Sequence, residues 1–195
     1  MSCCIVLTLC FATRVQARED RSTPRKVSPA SVVRDYCKLD FEGARLSSES
    51  SDFEKYFALV AWPDEPGWDG AVVIRNFRIV LSGSAQPVSK VTVRYVVLGN
   101  MSGARVTASP QHEEGVTFVL KRSGDTWKIE HPLIPPHISV HAAIVALSSL
   151  LKGEKDPEQR RRLRAGIAIL TRLGQTGDTG AMAGAPAAVS SKHNP

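Results

Sequence analysis

From Ala71 onward the apolar residues change period, and that change constrains the fold more than any other feature of the chain. In "SKVTVRYVV" (89–97), Val91, Val93, Tyr95 and Val97 alternate with Lys90, Thr92 and Arg94. Successive side chains of a strand point to opposite faces, so this segment reads as a strand with one dry and one wet face. "AVVIRNFRIVL" (71–81) alternates with an irregularity at Arg75–Asn76. "EGVTFVLKR" and "DTWKIEH" flank a Ser123-Gly124-Asp125 turn that closes a hairpin. Val116, Phe118 and Leu120 share one face of its first arm; Trp127, Ile129 and His131 share one face of the second. By that parity His131 is expected to face inward. Pro132, Pro135 and Pro136 are expected to end the sheet, because proline cannot donate to a central ladder.

Ahead of Ala71 the period is helical. Ser28 caps and Pro29 opens a first helix with Val32, Val33, Tyr36, Cys37 and Asp40 on one face. Ser51, with Glu54 three residues on, predicts a second helix start, and Pro63 its stop. Phe53, Tyr56, Phe57 and Val60 are its apolar side. Behind the strands, Ser139 caps "SVHAAIVALSSLL", apolar almost all round and so expected to be covered all round. Asp156, Pro157 and Gln159 open a basic last helix with Leu163, Ile167 and Leu170 as its stripe and Gly174 as its end. The order predicts an α+β domain, N-terminal helices packed on a curved antiparallel sheet, with extra C-terminal helices.

The chain divides accordingly. Residues 1–17 read as a signal peptide, with Val15-Gln16-Ala17 as a small-residue cleavage site. Residues 18–27 are a polar linker, 28–151 the α+β domain, 152–174 an amphipathic basic helix, and 175–195 a Gly/Ala-rich tail expected to be disordered. "LTLC" (7–10) resembles a lipoprotein box with Cys10 as the lipidated residue, although Leu9 stands where a small residue is usual. Export to the periplasm or medium is the expectation, with a lipid anchor at Cys10 as second choice. The N-terminal apolar run is too short to span a bilayer. With residues 1–17 removed, Cys37 is the sole cysteine left and no intrachain disulfide can form.

Charge argues against nucleic acid. The net charge is +6, yet residues 27–151 hold 12 basic and 13 acidic groups. The excess sits at the edges, notably "RRRLR" (160–164), rather than as a stripe on the folded core.

Two segments resemble the nuclear transport factor 2-like superfamily. "SPASVVRDYCKLDFEGARL" is similar to its first helix, and "VTFVLKRSGDTWKIEH" to its last hairpin. The resemblance covers residues 28–131 and implies a cone-like half-barrel closed by helices, with a cavity between sheet and helices. "VVRDY" also resembles the first helix of ketosteroid isomerases, where the tyrosine donates a hydrogen bond to the developing oxyanion; that match falls on Tyr36. Asp64 or Asp69 lies near the expected base, but neither has matching surroundings. Fold alone does not deliver function in such a superfamily.

The candidate site is a cone-shaped pocket lined by Tyr36, Asp40, Tyr95, Phe118, Trp127 and His131. Tyr36 and Asp40 are one helical turn apart, and an aspartate on an apolar stripe needs a partner. His137 and His141 have zinc-compatible spacing, but Pro135-Pro136 and the Ser139 cap separate them and no third ligand accompanies them. Trp62 and Trp68 flank the "PDEPG" loop and suit either a cavity mouth or plain packing. The expected function is a nonenzymatic domain that binds a small apolar ligand or a protein, without metal or cofactor. The alternative is an isomerase or dehydratase using Tyr36, Asp40 and His131. A homodimer through the sheet face is the expected form of self-association.

Overall fold

The computed structural model describes residues 27–176 except Gln86, and for residues 81–85 the backbone alone. The signal peptide, Cys10, linker residues 18–26 and the tail from 177 lie outside the described residues. Helix α1 spans Pro29–Phe41, and Ser28 and Ser31 cap it reciprocally. A 3-10 turn follows at Ala44–Leu46. Helix α2 spans Ser51–Phe57. Its cap is Ser50, one residue before the expected Ser51, because the Ser50 hydroxyl is the one that accepts from the Phe53 N–H.

Four long strands follow: β1 (Ala71–Ala85), β2 (Val88–Ser102), β3 (Arg105–Ser123) and β4 (Thr126–His131). Consecutive strands pair antiparallel. A fifth, β5 (His137–Ser139), pairs parallel with β1, so the sheet is mixed and ordered β4-β3-β2-β1-β5. Helix α3 (Val140–Gly153) leaves β5 directly, and α4 (Pro157–Gln175) closes the chain. The result is the expected α+β half-barrel with C-terminal helices. Among the described residues no helix is long and apolar enough to cross a membrane.

The core has two halves on opposite faces of the sheet. Under α1 and α2 lie Val33, Tyr36, Tyr56, Val91, Val93, Tyr95, Phe118, Leu120 and Ile129. The expected faces of α1 and β2, and of the hairpin up to Ile129, point here. The other half, Val73, Met101, Val106, Ile138, Ala143, Leu147, Leu163 and Leu170, is covered by α3 and α4. Val72 and Val73 point to different halves because neighbouring strand residues alternate faces. Burial of this second half required β2 and β3 to extend to a hairpin at Gly103-Ala104, beyond the strands expected from their apolar runs.

Two edges are treated differently. The segment leaving α2 docks on β4: the Ala61 N–H donates to the Ile129 carbonyl at 2.8 Å, and the Ile129 N–H to the Leu59 carbonyl at 2.9 Å. Strand β3, by contrast, pairs with β4 only from Val119 to Ser123, so among the described residues it has a strand partner on one side alone from Arg105 to Phe118. That stretch exposes Pro110, His112, Glu113 and Glu114.

Candidate functional site

Asp40 ends the buried face of α1 and is fully buried. Gly43, at φ 90°, then reverses the chain in a left-handed conformation that a side chain would strain. A Cβ there would also lie 3.2 Å from that of Ala142 in α3. This turn carries Arg45 back beneath the domain's edge, with its side chain 1% exposed.

Around that guanidinium a polar cluster is built. Nη1 donates to the Tyr36 hydroxyl at 3.3 Å and lies 3.5 Å from Asp40 Oδ2. Nη2 donates to the Ile134 carbonyl at 2.8 Å. Nε donates to Glu65 Oε1 at 2.8 Å, and Nη2 also pairs with the same oxygen. The rings of Tyr56 and Trp68 lie 5.2 and 5.7 Å from the guanidinium carbon.

Glu65 completes the arrangement from the "WPDEPGW" loop. Beyond Arg45, its carboxylate accepts from the Tyr56 hydroxyl at 2.9 Å, the Trp68 indole at 2.8 Å and the Trp62 indole at 3.3 Å. The two tryptophans stand three residues either side of the glutamate, and the Pro/Gly turn brings both N–H groups onto it. Asp64 and Asp69, the carboxylates considered from sequence, are exposed. Glu65 was not expected; its signal was the symmetric tryptophan spacing.

Tyr36, Asp40, Tyr95, Phe118 and Trp127 do meet in the domain interior, but as packing rather than as the walls of a cone-shaped pocket. Tyr36, Tyr95 and Phe118 are almost fully buried, with Tyr36 5.2 Å from Phe118 in edge contact, and the Tyr95 hydroxyl lies 3.2 Å from Cys37 Sγ. Side chains fill the space where the pocket was expected. Burial pushes the Cys37 thiol up to about 12, despite its contact with Tyr95.

His131 diverges from the others: it is exposed. The register explains it. Val119 pairs with His131 but Leu120 pairs with Ile129, so β4 carries one extra residue, Glu130, at that step. Such a bulge reverses the alternation beyond it, and the parity that pointed His131 inward no longer applies.

The inward histidine is His137. It is 4% exposed and its ring lies 4.3 Å from that of Tyr95. Its Nδ1 faces the Pro135 carbonyl at 2.8 Å, which fixes the tautomer with the proton on Nδ1, since a carbonyl only accepts. Burial lowers its pKa, keeping it neutral. Its backbone N–H donates to Asp40 Oδ2 at 2.9 Å, so Asp40 anchors the start of β5 rather than capping its own helix. Asp40 Oδ1 accepts no hydrogen bond from the described residues. Burial pushes the Asp40 carboxyl up to about 7, against the pull of Arg45 and of the His137 N–H. His141 is exposed on α3, so the two spaced histidines point to different environments.

Outside this cluster lies an open groove of about 780 Å³ between α3, the 3-10 turn and the tryptophan loop. Arg45, Glu65 and Trp68 form its polar end. Leu46, Phe53, Val145 and Leu150 line its apolar length. Helix α3 is therefore not covered all round as its composition suggested: Val145 is 53% and Leu150 57% exposed. The outer face of the sheet, the expected dimer surface, carries Glu113 bridged to Arg78 and Arg94, and a Thr92–Thr117 hydrogen bond. Arg45, Glu65 and Trp68 thus give the groove a charged, hydrogen-bonding end and α3 an apolar wall, while Asp40 is fully buried.

No family model matches this sequence, and no curated protein or solved structure matches it either.

Proposed function

We propose that this chain is a nonenzymatic binding domain of the nuclear transport factor 2-like kind that holds a small, largely apolar ligand in the groove beside α3. The observation that carries this reading is the groove itself: large exposed apolar side chains on one wall and a fixed polar cluster at one end. A soluble domain seldom leaves side chains such as Val145 and Leu150 open beside a concavity unless something covers them. The superfamily assignment is supported by the first-helix and last-hairpin motifs together with the half-barrel architecture. The reading of residues 1–17 as a signal peptide makes it an exported domain. Self-association through the outer sheet face would rest on ion pairs and hydrogen bonds more than on apolar burial, and light scattering that finds a monomer at high concentration rules it out.

The acid–base alternative has less support, because His131 lies on the surface while Tyr36 and Asp40 are enclosed. The test of the binding reading uses an environment-sensitive fluorescent apolar probe. Val145→Ser with Leu150→Ser should lower probe affinity about tenfold at an unchanged melting temperature, as expected for exposed positions. Equal probe binding by wild type and variant removes the groove from consideration.

A further inference from the structure

The polar end of the groove is a cradle for a carboxylate, and the chain fills it with one of its own. Arg45, Tyr56, Trp62 and Trp68 all donate to Glu65. Four donor side chains on one carboxylate is a built recognition site, with the guanidinium supplying charge and the indoles direction. Glu65 comes from a loop rich in proline and glycine rather than from a helix or strand. Its side chain is 13% exposed, against 1% for Arg45, and both line the groove. Glu65 therefore stands between Arg45 and anything lying along α3.

We propose that the groove takes an alkyl monocarboxylate, whose headgroup replaces Glu65 on Arg45 and Trp68 while its tail lies along Leu46, Val145 and Leu150. This inference rests on the groove being a binding site. The exchange conserves charge, because one carboxylate enters the cradle as another leaves it for water. Arg45 Nη1 keeps its contacts with the Tyr36 hydroxyl and Asp40 Oδ2. Residues 142–150 of α3 run along about 12 Å of helix, which suits a chain of about ten carbons. Glu65 competes as a tethered ligand at high effective concentration. The incoming molecule overcomes it through the apolar tail, which Glu65 lacks. In this arrangement Glu65 is an occupant that keeps the cradle closed until a ligand with both parts arrives.

The experiment compares decanoate with 1-decanol, of equal tail length, by calorimetric titration of the full chain. Decanoate should bind wild type about tenfold more tightly than decanol, and Glu65→Gln should tighten decanoate by about a further tenfold while leaving decanol unchanged. Trp68→Phe, which removes one donor and keeps the ring, should weaken decanoate alone and serves as the test if Glu65→Gln does not fold. Equal binding of the two compounds, or indifference of decanoate to both substitutions, overturns the carboxylate exchange and leaves the groove as a purely apolar site. If neither compound binds, the groove reading falls and this inference with it.

Discussion

At the scale of single residues, the histidine that parity turns inward is exposed and another fills the core. His131 shares alternation with Trp127 and Ile129 until Glu130 bulges out of register and turns it to solvent. His137, just past the prolines expected to end the sheet, fills the core against Tyr95. Substitution should separate them clearly. His131→Ala should change unfolding free energy by no more than about 0.5 kcal/mol. His137→Ala should cost roughly 2–4 kcal/mol, from the cavity beside Tyr95 and the Pro135 carbonyl left without its donor. Chemical denaturation midpoints measure both, and equal effects would return His131 to the interior. Asp40 shows the same limit of local reading. Its burial was legible from the α1 stripe, but besides Arg45 it holds a backbone N–H 97 residues away, which no spacing rule reaches.

At the scale of elements, helix and strand identity was largely written in period and capping, and sidedness was not. The starts of α1, α3 and α4 fall where Ser28, Ser139 and Asp156 announce them, because a cap is a local hydrogen-bond requirement. Strand β5 escaped notice because three residues are too few for a period, and it exists only by pairing with β1. The open wall of α3 escaped notice for a related reason: uniform apolarity cannot say which side a neighbour will cover. Glycine in α4 makes the tertiary contribution testable. A Cβ on Gly166 would lie 2.9 Å from the Ala104 carbonyl oxygen and 3.0 Å from Leu147 Cδ1. Gly166→Val should therefore destabilise by about 1–3 kcal/mol through overpacking against the β2–β3 hairpin. Gly174, expected from sequence to end the helix, is still inside it and meets only Val140 at an ordinary 3.5 Å. Gly174→Ala should thus stabilise by about 0.5 kcal/mol, as alanine does in a helix with room for it. Thermal melts of both variants give the comparison; a neutral Gly166→Val would mean that α4 does not sit close on the hairpin.

At the scale of the whole molecule, the buried carboxyl links stability to acidity. Folded Asp40 keeps its proton up to about pH 7, whereas the unfolded chain releases it near the ordinary value of 3.8. Between those points the folded state binds more protons, so this group's contribution falls as pH rises through the window and is lowest above it. Neutral, buried His137 acts in the opposite sense, losing stability as the unfolded chain gains a proton below its ordinary 6.5. The difference between wild type and Asp40→Asn isolates the carboxyl: the variant should gain stability relative to wild type as pH rises from 4 to 7.5, and a constant difference would show that Asp40 stays ionised. The groups facing Asp40 are Tyr36, Cys37, Arg45, Glu65 and His137. The half-paired length of β3 has a consequence of another kind. Ladder groups that no described residue pairs from Arg105 to Phe118 are a template for any other extended chain, and Pro110, Glu113 and Glu114 stand along it as insulation. Pro110→Val with Glu114→Val should leave the domain's melting temperature within a few degrees yet make concentrated solutions cloud and bind an amyloid dye, because what those residues protect is the solution and not the fold.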